Sequence, residues 1–538
     1  MRIRMSSCSP AMLALALATG LCAPAVVGAA RDSASNRLRK LVELPKVTFE
    51  LSLKVDLWHG WVFAGDELMA PRRIKELRAA LDGSADDAEH EVQIALLYKL
   101  LEDDTNEELM LKMAQTAFER QGARESRDDK LVAAFAECLM LRGGLEEAEP
   151  LLRKVVGEVA EAWRCRLALA RLLLRLNGRT IAPAVGGTPP SQADLSLARE
   201  RAAESLVLAD EALKRAPDEA EAFLGRAYIM LCERLGKAML TEARGEELAL
   251  ATAAAIFSPD AIPDLTEAVR HSPESPRVAA IRVWHELLGH TLGSGRAGLE
   301  GFPGNLGYAQ LPEGLRATVR ETLASMDSLS RSGDPGKAAE ALALTGALEL
   351  FVMQNSRRAE EVFRRAVVLD SGLEPAWEQC SVALVQDGRF DALVEVCRDR
   401  LKAADTARSR VMLGKALDRA GRPEEALAEL SQARERYPKD TLANLALCAA
   451  LLRNPEVTNM NAVATLLQSA RNEFGKQPSK PILRSFLFQQ GVLLALINRL
   501  DQARASFQQV LRIEPGDDGA TEALRVLDEM AVADQAGE

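Results

Sequence analysis

Residues Ala407–Asp440 read ARSRVMLGKALDRAGRPEEALAELSQARERYPKD. The stretch is two helix-length segments hinged at Gly421 and closed by Pro438. With Ala407 as position 1, Leu413 and Gly414 fall at 7 and 8, Leu417 at 11 and Gly421 at 15. Ala426, Leu430, Ala433 and Pro438 fall at 20, 24, 27 and 32. Small residues at 8 and 20 let two antiparallel helices cross closely. Large apolar residues at 11 and 24 fill the space between neighbouring units. Proline at 32 stops the second helix. One such unit cannot bury its own apolar stripe, so copies must stack.

The copies are there, with a period of about 34 residues. Glu340 to Leu373 carries Ala347, Leu350, Ala359, Phe363 and Ala366 in step. The unit from Glu374 has Trp377 at 4, Leu384 at 11 and Gly388 at 15, and runs one residue short, so Ala392 takes the small position. The unit from Thr441 has Leu447, Cys448 and Leu451, then an insertion around Asn454–Met460. The last unit, from Arg484, has Gly491, Leu494, Ala503, Phe507 and Pro515. The N-terminal half repeats less cleanly, through Ala114 and Phe118, then Leu139, Gly143, Ala148 and Leu152, then Trp163, Leu169, Ala170 and Leu173. Phe223, Ala227 and Tyr228 open a further first helix, and Ala268 with Pro273 suggest one more unit.

This pattern resembles the tetratricopeptide repeat, W-x2-L-G-x2-Y followed by Ala, Phe, Ala and Pro. In the Ala407 unit Arg410 replaces the aromatic residue at position 4. The resemblance runs from about Ala95 to Glu522 with interruptions. It implies an all-α solenoid of helix-turn-helix repeats that binds a protein or peptide in a groove lined by the first helix of each unit. Carried onto this chain, the groove positions are Arg408, Val411, Lys415, Asp418 and Arg419 in one unit. They are Pro375, Glu378, Val382, Val385 and Gln386 in another, and Ser485, Phe488, Val492, Ala495 and Leu496 in the last. Arg408, Lys415 and Arg419 make a basic patch suited to a carboxylate or an acidic segment. Ordinary solvated helix residues are the alternative.

Composition bounds the rest. Net charge is −11, which disfavours phosphate backbones and so nucleic acid as a partner. Arg2 and Arg4, the apolar run Ala11–Leu21 and Gly28-Ala29-Ala30 read as a secretory leader cleaved near Ala30. Export to the periplasm or the outside, as a soluble chain, follows. Cys22 could carry a lipid anchor, but Leu21 stands where a small residue is needed. The six later cysteines form no C-x-x-C pair and read as small apolar contacts. The expected organisation is a leader (1–30), an N-terminal segment (31–94), a degenerate array (95–290), a Gly-rich insertion with a linker helix (291–339), a C-terminal array (340–522) and a flexible tail (523–538).

Three features depart from the helical repeat. Val47–Leu57 alternates apolar and polar residues strictly, which predicts a strand, with Trp61-Val62-Phe63 returning as a second. Such a hairpin would cap the first helices or pair with a partner's strand; an amphipathic helix is the alternative. Asn177–Asp194 and Gly293–Gly314, rich in Gly and Pro, read as loops. His285-Glu286-Leu287-Leu288-Gly289-His290 resembles a zinc-peptidase signature, but the second His is at i+5, about 140° around a helix from the first. Gly293–Gly298 matches a dinucleotide motif but follows a helix rather than a strand. No catalytic residue, metal or cofactor is expected. The function expected is an interaction scaffold in the cell envelope, in assembly or export of other components. A metal-dependent hydrolase at His285–His290 and a purely structural spacer are the alternatives.

Overall fold

Almost every described residue lies in a helix or the turn after one. The computed structural model describes residues 29–44, 53–56, 60–82, 87–101, 103–185, 191–239, 245–293, 307–456, 459–474 and 478–537. The leader through Gly28, with Cys22, lies outside them, as do 45–52, where the expected first strand begins. Two compact units form: residues 49–383, and residues 384–538 together with the segment through Thr48. The first helix described, α1 (Ala29–Leu41), belongs to the second of these.

In the unit 49–383 the alternating segment pairs as expected. β1 (Leu53–Asp56) and β2 (Gly60–Phe63) are antiparallel, Leu53 opposite Phe63 and Val55 opposite Trp61. α2 (Ala64–Ala80) follows without a break. Helices then alternate in antiparallel pairs: α3 (Asp87–Leu100) with α4 (Asp104–Arg120), α5 (Asp129–Leu141) with α6 (Leu145–Glu158), and α7 (Trp163–Val185) with α8 (Gln192–Arg215). α9 (Ala220–Met239) packs on α10 (Gly245–Ile256) and α11 (Ile262–His271). α12 (Pro276–Gly293), α13 (Glu313–Leu329), α14 (Pro335–Phe351) and α15 (Ser356–Leu369) continue the stack, and the unit ends within α16 (Glu374–Gln386). The hairpin does not stand alone: β1 lies against α9 and α12. Asp66 of α2 accepts from Arg277 at 2.9 Å, and Arg72 donates to Asp370 at 2.6 Å. These ion pairs tie α2 to α12 and to the end of α15.

Two loop expectations change. Residues 177–185 are the last turns of α7, not loop, and α8 begins at Gln192. The helix is held past its Gly because Asn177 donates to the Ala198 carbonyl at 2.8 Å and Arg179 to the Gly143 carbonyl at 2.9 Å. Long-range hydrogen bonds outweigh a weak local propensity. Of Gly293–Gly314, residues 294–306 lie outside the described residues. The rest docks: the Tyr308 amide donates to the Val352 carbonyl at 2.9 Å.

The second unit holds α17 (Phe390–Ala403), α18 (Ala407–Arg419), α19 (Pro423–Arg436), α20 (Thr441–Arg453), α21 (Met460–Asn472), α22 (Lys480–Leu496), α23 (Leu500–Ile513) and α24 (Asp518–Gly537). The expected tail 523–538 is most of α24. It is helix because Ala520, Ala523, Val526, Leu527 and Met530 form one stripe and are all fully buried.

Repeat geometry is as regular as the motif, with one difference of detail. The small residue at position 8 sits under the large one at position 24. A Cβ on Gly414 would come 2.7 Å from Leu430, and one on Gly491 2.7 Å from the Phe507 ring. In α14 and α15 it is Gly346, not Ala347, that lies under Phe363, at 2.6 Å. The turn between those helices is one residue longer, and its left-handed residue is Gln354 (φ 56°). Gly421 (φ 73°) and Asn498 (φ 63°) hold that conformation in the other turns, which glycine and asparagine adopt at low cost.

Candidate partner-binding faces

In α18, Arg408, Lys415 and Asp418 are half-buried and Arg419 is exposed. Val411 is fully buried in the core with Leu430 and Leu445, because helices on both sides press on position 5. Asp418 accepts from Arg453 of α20 at 2.6 Å. That ion pair joins two successive first helices and occupies the acid. Arg410, which replaces the motif's aromatic residue, bridges the two helices of its unit instead. It donates to Asp405 at 2.8 Å and to Glu429 at 2.6 Å. Its hydrogen bonds hold the Asp405 carboxyl below the usual carboxylate range.

In the other unit, Glu378 of α16 is buried, Val382 and Pro375 are half-buried, and Gln386 lies at the exposed end of the helix. Trp377 at position 4 donates its ring N–H to the Ser371 carbonyl at 2.9 Å. Along α22, Ser485, Phe488, Val492 and Ala495 are all buried, and Leu496 is half-buried. The Phe488 ring stacks edge-on against Phe507, centroids 5.3 Å apart, with the Arg484 guanidinium 5.3 Å from its centre. It is therefore core of the array.

Sequence reasoning missed the contribution of α1. Ala34 and Leu38, with Val42 and Leu44 just beyond the helix, join the same buried cluster as Phe488, Val492, Val526 and Met530. The i, i+4, i+8 spacing of Ala34, Leu38 and Val42 was the signal, but nothing in one sequence says which surface such a short stripe covers.

His285 of α12 is fully buried, its Nε2 2.8 Å from the Ser258 carbonyl, and burial pulls its pKa down. Among the described residues no group of three or more His, Cys, Asp or Glu is placed to hold a metal ion. The six cysteines are buried and unbridged. Burial pushes the Cys138 thiol up to about 12 and those of Cys165 and Cys448 well above their usual value, so they are poor nucleophiles. Among the described residues no helix is long and apolar enough to cross a membrane.

Comparison with family models agrees with the repeat geometry. Residues 411–459 match the tetratricopeptide repeat family model. No curated protein matches the chain. Among solved structures, yeast Tom70 is similar at 14% identity, covering 88% of this chain and 95% of that one with a TM-score of 0.38. The Pseudomonas aeruginosa pilF protein is similar at 16% identity, covering 46% and 97% with a TM-score of 0.30. YrrB, described as a TPR protein with an unusual peptide-binding site, shares 17% identity over 38% and 99%, with a TM-score of 0.27. The left-handed turns and the position 8 to 24 interlock recur outside the matched residues, and the chain folds as an all-α solenoid of tetratricopeptide-type helix-turn-helix repeats, a fold that serves as a scaffold for protein–protein interaction.

Proposed function

We propose that this chain is an exported scaffold that holds other proteins in the cell envelope, in their assembly or export. Its leader-like start supports export: Arg2 and Arg4, the short apolar run Ala11–Leu21, and the small residues Gly28-Ala29-Ala30. The observation that carries the binding reading is the face of α18. Arg408, Lys415 and Arg419 follow one another along that first helix, while Asp418 beside them is taken up by Arg453. A basic stripe in an acidic protein is suited to a carboxylate, as a peptide C-terminus or an acidic segment. Val382 and Gln386 would line the groove along α16 in their own repeat, beside the buried Glu378.

The test is a crosslinked pull-down from the native envelope fraction. Wild-type protein is compared with a variant carrying Arg408→Glu, Lys415→Glu and Arg419→Glu. A partner captured by the first and lost by the second, with helical content unchanged, is the expected result. Identical capture by both would remove the α18 face from the reading.

A further inference from the structure

The second unit already holds a helix against the first helices of its repeats, and that helix is its own α1. It packs along α24 and reaches α22 and α20, all first helices of their units. α1 is not the neighbour of these helices in sequence: the contact from Arg39 to Leu452 spans 413 residues.

The contacts have the specificity of a bound ligand. Ala34, Leu38, Val42 and Leu44 are buried in the array's apolar cluster. Around that stripe, each helix beneath receives a polar contact of its own. Arg37 pairs with Glu529 of α24. Arg39 donates to the carbonyls of Leu452 and Asn454, at 2.8 and 2.9 Å, where α20 ends. A helix C-terminus carries orphan carbonyls and partial negative charge, so a guanidinium is the group it best accepts. Glu43 lies 3.5 Å from Arg484 of α22.

These contacts fix a register yet hold α1 lightly. Arg37 and Glu529 are both well exposed, and exposed pairs contribute little. The buried stripe is short, Ala34, Leu38, Val42 and Leu44 with part of Leu41, set against the conformational freedom lost in ordering a whole segment. α1 is not one of the two helices of any repeat, so the pairing of α20 with α21 and of α22 with α23 does not run through it. An intramolecular ligand of modest intrinsic affinity holds its site through effective concentration, and a free partner of the same chemistry competes with it.

We propose that the face of α20, α22 and α24 is a helix-binding site, that α1 is its occupant in cis, and that a partner's amphipathic helix displaces it. The partner helix is apolar at i, i+4 and i+8, carries arginines at i+3 and i+5, and has an acid at i+9. This is the register of Ala34, Leu38, Val42, Arg37, Arg39 and Glu43. The site is distinct from the α18 basic stripe, and its test reads no envelope partner, so the two stand or fall separately.

The probe is a fluorescently labelled peptide of residues 31–44, RDSASNRLRKLVEL, read by anisotropy against the full chain. A chain carrying Leu38→Asp should release α1 and bind the probe at least tenfold more tightly than wild type does. A probe carrying Leu38→Asp should not bind. If the Leu38→Asp chain loses helical content, Arg39→Ala removes the α20 contacts and keeps the stripe, with a severalfold gain expected. Amide exchange on the wild-type chain needs no variant: α1 should exchange at least a hundredfold faster than α24. A folded, opened chain that ignores the probe, equal binding to both chains, or exchange of α1 and α24 together would overturn the proposal. A stable wild-type dimer that exchanges its α1 segments would name a second copy as the occupant and overturn the partner reading.

Discussion

The two halves of the array solve one packing problem by different means. From α18 to α24 the helix pairs interlock: a glycine in the first helix receives the large residue of the second, at Gly414 with Leu430 and Gly491 with Phe507, and the buried Arg410 reaches Glu429 within its own repeat. From α5 to α12 the helices vary more in length, and buried ion pairs join different repeats. Arg175 of α7 is buried and donates to Glu137 of α5 at 2.7 Å. Asp264 of α11 is buried beside Arg226 of α9 at 3.3 Å. Apolar interlock rewards any residue of the right size, so it leaves a repeating pattern. A buried ion pair depends on two individual residues far apart in sequence, and it leaves none.

The largest expected effect is therefore in the half that looks less like the motif. Burial alone would push the Glu137 carboxyl up, but the Arg175 and Arg171 guanidiniums and the hydrogen bond from Arg175 hold it below the usual range. Arg175→Met leaves that half-buried carboxylate without its hydrogen-bonded cation, with only the charge of Arg171 near it. Removing one partner of a buried pair costs about 3–5 kcal/mol, whereas replacing both with apolar residues is near neutral. Urea denaturation followed by circular dichroism should show the first transition weakened by that amount. Arg175→Met with Glu137→Leu should recover most of it. A single variant costing under about 1 kcal/mol would show that the charge pair is not what holds α5 to α7.

In the regular half the expected break is steric and smaller. Ala in place of Gly raises helix propensity by about 1 kcal/mol where space permits. At Gly491 the new Cβ would stand 2.7 Å from the Phe507 ring, which Phe488 backs edge-on. Overpacking of that kind costs about 1–3 kcal/mol. Gly414→Ala meets Cγ and Cδ2 of Leu430, each at 2.7 Å, and an aliphatic branch can change rotamer where a ring backed by Phe488 cannot, so it should cost less. Gly491→Ala with Phe507→Leu should restore stability. Equal effects of Gly414→Ala and Gly491→Ala would show that the interlock tolerates either partner alike.

How far each half was legible follows from the same contrast. The register from Ala407 on was readable because positions 8, 15, 24 and 32 each carry one physical demand. The hairpin was readable because Val47–Leu57 alternates with a period that no helix shares, and β1 and β2 pair where that alternation and its return predict. The end of α7 was not: Asn177-Gly178 signals a break locally, and only the distant Ala198 and Gly143 carbonyls overrule it. The one-residue slip that puts Gly346 rather than Ala347 under Phe363 depends on Gln354 taking a left-handed turn, which its side chain does not advertise. On α18 the spacing puts Arg408, Lys415 and Arg419 on one helix face, but it does not show that Val411 is core or that Arg453 would claim Asp418. The α1 strap was invisible because a three-residue stripe at one end of a chain does not name the surface it covers.

The smallest effect sharpens the comparison through pH. Burial pushes the Asp264 carboxyl from 3.8 up to about 6, against the pull of Arg226 and with help from Asp210. The folded state thus holds a proton on Asp264 between about pH 4 and 6 that the unfolded chain has released. By linkage, the stability this group contributes is complete below pH 4 and is lost as pH rises to 6; each tenfold change in proton affinity is worth about 1.4 kcal/mol, so the shift bounds the loss at about 3 kcal/mol. Asp264→Asn keeps the shape and cannot ionise, so it escapes that loss. The variant should match wild type near pH 4 and exceed it by about 1 kcal/mol at pH 7, since the amide oxygen still accepts from Arg226. The apolar array from α18 to α24 should show no such crossing, and comparing the variant with its parent at each pH removes every other carboxylate from the difference. A variant less stable than wild type at pH 7 would mean that the Arg226 pair outweighs the burial of Asp264. The charged interior of the first half would then be held by its ion pairs rather than strained by them.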